Sequence, residues 1–166
     1  HQEFSGKDQT YLDPVTNERY IPYVVETSAG LTRNVLMVLS DAYEEETLED
    51  GETRTVLRFH PNVAPVTVAV LPLVKKDGIA EVAKELELSL REEFTTFFDL
   101  SGAIGRRYRR MDEIGTPYCI TVDYQSLDDR TVTLRYRDSM EQVRIGMDEI
   151  VSAIKEANKN YKRVEK

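Results

Sequence analysis

Apolar residues recur at spacings of three and four at Leu31, Val35, Val38, Leu39 and Ala42, which predicts a helix with one buried face ending near Tyr43. Immediately upstream, the run YIPYVVE from Tyr20 to Glu26 is β-branched and aromatic and predicts a strand, so the local order is strand, glycine turn, helix. The stretch EEETLEDGE, 44 to 52, has no apolar periodicity and reads as a solvated acidic loop before a short strand, TVLRF, at 55 to 59. HPNVAP then places two prolines in six residues and marks a boundary between two units, 1–60 and 61–166.

Beyond the boundary the pattern alternates. VTVAVLPL at 66 to 73 is almost continuously apolar, as expected for a strand covered on both faces. Ile79, Val82, Ala83, Leu86 and Leu90 share one face of a helix over 78–94, TTFFDL at 95–100 is a second strand, and Ser101 to Ile114 is a second helix stopped by Gly115 and Pro117. PYCITVDY at 117–124 is a third strand, and QSLDDR a polar loop. In TVTLRYRD, 131–138, Val132, Leu134 and Tyr136 alternate with Arg135 and Arg137 on the opposite side. A last helix from 146 to about 161 carries Met147, Ile150, Val151, Ile154 and Tyr161 on one stripe and ends in the basic tail KRVEK. Strand, helix, strand, helix, strand implies an α/β fold with a parallel core and right-handed crossovers, the fourth strand running antiparallel.

Composition narrows the class. With 40% apolar and 31% charged residues the chain is that of a globular protein with a real core. No apolar run approaches the roughly 18 residues of a membrane span, and no basic-then-apolar leader opens the chain, so a cytoplasmic location is expected. The chain begins at His1 with twenty polar, aperiodic residues, which reads as an internal cut point. Its single cysteine, Cys119, sits in PYCITV and reads as a small buried thiol. His1 and His60 have no cysteine or carboxylate at metal-ligand spacing, so no protein-bound metal is expected.

The net charge of −8 argues against a nucleic-acid partner, but its distribution reverses that. Residues 1–60 carry 5 Lys/Arg against 12 Asp/Glu, whereas 61–166 carry 17 against 18. Within the second part, SGAIGRRYRRMDEI holds Arg106, Arg107, Arg109 and Arg110 around Tyr108. At 100° per residue Arg106, Arg109 and Arg110 lie on one face, and Ile104, Tyr108 and Met111 on another that packs. Guanidinium groups beside a stackable ring suit single-stranded RNA. Surface ion pairs with Asp99, Asp112 and Glu113 are the other reading, and composition alone does not choose between them.

The string SGAIGRRYRRMDEIGTPYCITVD resembles the diagnostic stretch of the anticodon-binding domain of class II glycyl-tRNA synthetases. HPNVAPVTVAVLPLVK, TVTLRYRDSMEQVRI and the upstream IPYVVETSAGLTR resemble further segments of that family in the same order, so the likeness spans nearly the whole chain. It implies a mixed, mostly parallel five-stranded sheet with three helices for the second unit, the extra strand falling at Gln142 to Ile145, and a C-terminal piece of the catalytic domain for the first. The upstream string is similar to motif 3 of the class II catalytic domain, although Thr27 and Thr32 stand where the family has proline and often glycine. By that likeness Arg33 contacts the γ-phosphate of ATP, and Glu26, with Ser28 and Gly30 nearby, lines the glycine pocket. Read without the likeness, Glu26 and Arg33 are an ion pair.

The resemblance implies glycine activation with ATP and Mg2+, transfer to a glycine-specific tRNA, and a homodimer in the full enzyme. Motifs 1 and 2 would lie before His1, so the 166-residue chain alone is expected to be inactive and mainly to bind the anticodon region. Arg106, Arg107, Arg109 and Arg110, helped by Arg135 and Arg137, are the expected tRNA contacts. The alternative is a non-catalytic, synthetase-like accessory or interaction protein.

Overall fold

The computed structural model describes residues 1–49 and 51–163, so the last three residues of the basic tail lie outside the described residues. Two compact units divide the chain, His1–Asn34 and the part from Val35 onward.

In the first unit a one-turn helix, α1 (Gln2–Ser5), precedes a two-residue hairpin, β1 (Tyr11–Leu12) with β2 (Arg19–Tyr20). Tyr11 and Tyr20 close it edge-on with ring centroids 5.9 Å apart. The strand expected over Tyr20–Glu26 stops at Tyr20, and residues 21–30 form neither helix nor strand. Ile21, Tyr23, Val24 and Val25 are exposed. A strand needs a partner for its ladder, and none of the described residues supplies one here. Helix α2 (Leu31–Ala42) forms as expected, but only Ala42 is buried, and Leu31, Val35, Leu36, Met37 and Leu39 face outward.

The first part of the acidic stretch, 44–47, is strand rather than loop. Tyr43–Thr47 is β3, paired antiparallel with β4 (Thr53–Leu57). Alternate carboxylates, Glu44 and Glu46, are half-buried while Glu45 is exposed, so this strand has period two in charge rather than in apolar residues.

Five strands form the main sheet in the order β6-β5-β7-β8-β9: β5 (Val68–Pro72), β6 (Thr96–Phe98), β7 (Tyr118–Val122), β8 (Thr131–Tyr136) and β9 (Gln142–Gly146). β5 pairs parallel with β6 and β7, whereas β7–β8 and β8–β9 are antiparallel, so the sheet is mixed, with β9 as the fifth strand. Helices α3 (Ile79–Leu90) and α6 (Ile150–Lys159) cover one face, where Val68, Val70, Ile120, Val122, Val132 and Leu134 meet Ile79, Ala83, Leu90, Ile150 and Ile154. Helix α4 (Ile104–Glu113) covers the other through Met111, Ile104 and Tyr108 against Ala69, Leu71 and Cys119. Covering both faces explains the unbroken apolar runs of β5 and β7. Each fully buried Val, Leu or Ile there contributes about 1.5–3 kcal/mol. Burial also pushes the Cys119 thiol up to about 12, so it is not a thiolate nucleophile at neutral pH.

The polar segment after β7 forms a short helix, α5 (Tyr124–Asp129), rather than a loop. Asp123 starts it with a capping box: its Oδ1 accepts from Ser126 N (3.1 Å), and Ser126 Oγ accepts from Asp123 N (3.0 Å).

Glu87 ties α3 to β6 from inside the fold. Its side chain is 1% exposed and accepts from Lys84 Nζ (2.8 Å), Arg91 Nε (2.7 Å) and Thr96 Oγ1 (2.6 Å). Burial alone would raise its pKa, but the hydrogen bonds from Arg91, Lys84 and Thr96 prevail and hold it at about 2, against 4.5 ordinarily. A carboxyl depressed on folding stabilises the fold above its unfolded pKa and loses that contribution as pH falls, here between about 4.5 and 2. Because Lys84 and Arg91 are themselves partly exposed, we expect E87Q to remove on the order of 1–2 kcal/mol at neutral pH and much less near pH 2. Urea unfolding of wild type and E87Q across that pH range checks it, and a difference that does not shrink with acid contradicts it.

Candidate nucleic-acid interface

Helix α4 starts after the turn at Ser101 and Gly102 and is stopped by Gly115, whose φ is +79°. A Cβ there would lie 2.4 Å from Phe59 Cδ2 and 2.7 Å from the Leu57 carbonyl oxygen, so glycine is what lets the end of β4 approach the end of α4. The four arginines of this helix have separate fates.

Arg106 is exposed, and among the described residues no ion pair or hydrogen bond holds its guanidinium. Arg109 is one third exposed and comes within only 3.9 Å of the Glu52 carboxylate. Arg110 bonds the Asp99 carboxylate and donates to the Ser101 carbonyl at 2.5 Å, yet stays 42% exposed. Desolvation of Asp99 is outweighed by the Ser101 amide and the Arg110 guanidinium, which keep its pKa below the usual carboxylate range.

Arg107 turns inward and is 2% exposed. Its Nη1 donates to the carbonyls of Pro72 (2.6 Å) and Asp99 (3.1 Å), and its Nη2 to Leu73 (3.3 Å). Its buried Nε has no partner. A helical wheel contains the signal: Arg107 lies about 60° from Ile104, on the packing side of the helix, whereas Arg106, Arg109 and Arg110 fall on the far side.

Arg135 and Arg137, which alternate away from the apolar side of β8, are also buried, at 4% and 1% exposure. Arg135 forks onto Asp112 of α4 at 2.8 and 3.0 Å and lies 4.9 Å over the Tyr108 ring. Arg137 donates to the carbonyls of Gly115 (2.8 Å) and Phe59 (2.8 Å) and pairs with Asp138 (2.7 Å). Two further arginines complete this network. Arg54 bonds Asp112 (3.0 Å), Glu46 (2.6 Å) and the Arg137 carbonyl, and Arg58 bonds Glu44 (2.9 Å), Glu46 (2.5 Å) and Asp138 (3.1 Å). The acidic hairpin is thereby fastened to β8 and α4 through Glu44 and Glu46, while Glu45 and Glu52 stay exposed.

Three connections emerge at the carboxyl ends of the parallel strands, where the chain goes from β5 to one side and then returns to the other, the usual binding crevice of such sheets. The β5–α3 connection exposes Lys75 and Lys76. The β6–α4 connection is Asp99–Ala103, and after β7 comes Tyr124, 49% exposed, whose hydroxyl donates to Asp77 at 2.8 Å. Arg106 stands in the first turn of α4, just beyond. The sequence reading missed Lys75, Lys76 and Tyr124, because only the strand order brings these segments together.

The residues resembling motif 3 are placed differently. Glu26, Ser28 and Gly30 lie in the irregular stretch 21–30, Arg33 is in the first turn of α2, and all four are exposed. Among the described residues no hydrogen bond or ion pair holds the Glu26 or Arg33 side chain, so the ion pair between them is not formed. No group of three or more His, Cys, Asp or Glu among the described residues could hold a metal, and no helix is long and apolar enough to cross a membrane.

The family model described as the anticodon binding domain matches residues 67–157. A glycine–tRNA ligase of Treponema denticola is 64% identical over 98% of this chain and 37% of its own length. One of Borrelia hermsii is 54% identical over 99% of this chain and 37% of its own, and one of Clostridium kluyveri 56% over 94% and 33%. The chain therefore spans little more than a third of these curated relatives. Among solved structures, a prolyl-tRNA synthetase from Cryptosporidium parvum superposes with a TM-score of 0.58 at 20% identity over 69% of this chain and 31% of its own, a likeness of fold.

Proposed function

The chain belongs to the anticodon-binding-domain family, and from that premise we propose that its second unit grips the anticodon region of a glycine-specific tRNA. The observation that carries the reading is the cationic edge of α4 beside the carboxyl ends of the parallel strands. Arg106, Arg109 and the free side of Arg110 meet the phosphate backbone, joined by Lys75 and Lys76, while the Tyr124 ring offers a stacking surface to an unpaired base. Arg107, Arg135 and Arg137, engaged with protein partners, act through the fold rather than by touching RNA.

In the longer protein that the curated relatives suggest, the same chain takes part in attaching glycine to tRNA with ATP and Mg2+ through glycyl-adenylate. Arg33 then faces the γ-phosphate, and Glu26 with Ser28 and Gly30 receives the glycine ammonium, a carboxylate being the natural partner of that cation. The exposed apolar groups at 21–25, and separately those along α2, fit surfaces that the remainder of such a protein covers. A cytoplasmic homodimer belongs to the same reading.

Salt dependence tests the RNA edge. Each phosphate contact releases counterions, so R106A should lower the slope of log affinity against log salt by about one unit while weakening tRNA binding of any sequence alike. An unchanged slope removes Arg106 from the interface.

A further inference from the structure

Arg107 is buried on α4 behind the candidate interface, with its guanidinium turned into the fold. Its guanidinium joins the last residue of β5 and the one after it, Pro72 and Leu73, to Asp99 just beyond β6. Those two segments lead directly into the Lys75–Lys76 connection and the Ser101–Ala103 turn. The Asp99 carboxylate in turn holds Arg110 and accepts from Ser101 N at 2.7 Å. One buried fork therefore fixes both chain ends from which the outward cations depart, and α4 itself supplies the fork.

All of its bonds go to neutral carbonyls, and one donor, Nε, is left without a partner. An arginine serving only to fill space could be replaced by an apolar side chain with gain, because burying a charge without a bonded carboxylate is costly. Its planar fork does what a single ammonium cannot, reaching carbonyls of two strands at once.

We propose that Arg107 is a positioning residue for RNA recognition: by clamping the ends of β5 and β6 to α4 it sets the spacing of Lys75, Lys76, Arg106 and Arg110 against the phosphates. This rests on the tRNA-binding reading above. Lysine keeps the charge but loses the fork, so R107K is the informative variant.

In R107K of the full chain, amide hydrogen exchange in 73–76 and 99–103 should accelerate while the rest of the sheet stays protected. tRNA affinity should fall about tenfold to a hundredfold, the usual cost of removing the support behind a binding constellation, with the salt slope unchanged. R106A gives the contrasting result, a lower slope with normal exchange. Exchange in R107K like that of wild type in both segments overturns the proposal, and so does a slope lowered by one, which would make Arg107 a phosphate contact.

Should R107K not fold, nitrogen-15 spectra of the unsubstituted chain decide. The Arg107 guanidinium protons should exchange slowly with water and keep their carbonyl partners on addition of tRNA, while those of Arg106 shift. Transfer of Arg107 contacts to RNA phosphorus overturns the proposal. If wild type binds no tRNA, the tRNA reading falls, and the exchange in 73–76 and 99–103 still decides whether Arg107 holds the edge.

Discussion

Replacing Asp112 with alanine is expected to destabilise the second unit by about 3–5 kcal/mol, the cost of removing one partner from a buried charge cluster. Asp112 is fully buried and receives two bonds from Arg135 and one from Arg54. Without it, Arg54 keeps Glu46 and the Arg137 carbonyl, but Arg135 is left with the Tyr108 ring and the Cys119 thiol and no carboxylate. Two guanidinium groups would then share a dry site with no carboxylate between them. Removing Arg135 as well, in D112A/R135M, should cost less than the sum of the single changes, because the second substitution takes away a charge the first left stranded. Urea midpoints of the three variants measure this, and a loss below about 1 kcal/mol for D112A would mean that the cluster is solvated rather than buried.

The consequence reaches function through geometry. Asp112 stands in the last turn of α4 and Arg107 nearer its start, one fastening the helix to the hairpin and β8, the other to the end of β5 and to Asp99 just beyond β6. Held by these anchors, the helix turns Arg106 and Arg109 outward. The same residue type thus stands buried and outward on one ten-residue helix, and position on the wheel decides which.

Most of the second unit was legible in the sequence because its periods are local. The 3.6-residue stripes of α3, α4 and α6 and the apolar runs of β5 and β7 name their own partners. Three features were not legible, each for a non-local or polar reason. β3 alternates carboxylates instead of apolar groups, and its signal appears only once Arg54 and Arg58 stand opposite. α5 depends on a capping box inside a polar stretch. Arg135 and Arg137 alternate as an exposed strand face would, but a hairpin far away in sequence and α4 cover that face. The strand expected at Tyr20–Glu26 marks the converse limit: β-propensity makes no strand without a neighbour to pair with. Of the candidate interface, the sequence contained the arginines but not the neighbours, since Lys75, Lys76 and Tyr124 join Arg106 only through the strand order.

The other large effect expected concerns the anticodon itself. An anticodon presents three bases that can be unstacked and read on their edges, unlike a duplex of the same charge. Stacking on a ring such as Tyr124 adds about 1–3 kcal/mol per base whatever the base, the phosphates beside it add affinity without sequence, and hydrogen bonds to the base edges carry the discrimination. Exchanging all three anticodon bases should therefore leave the backbone contribution of Arg106, Arg109, Lys75 and Lys76 intact while removing the part that depends on base identity. The salt slope should stay the same for both RNAs even as their affinities separate.

The direct test is a titration of this chain, at about 0.15 M salt, with glycine tRNA and with the same tRNA carrying a foreign anticodon. Anticodon reading by this chain requires at least about tenfold tighter binding to the first, the equivalent of one base contact of about 1.4 kcal/mol. Equal affinity for the two would contradict it, leaving a surface that holds RNA by charge and reads no anticodon.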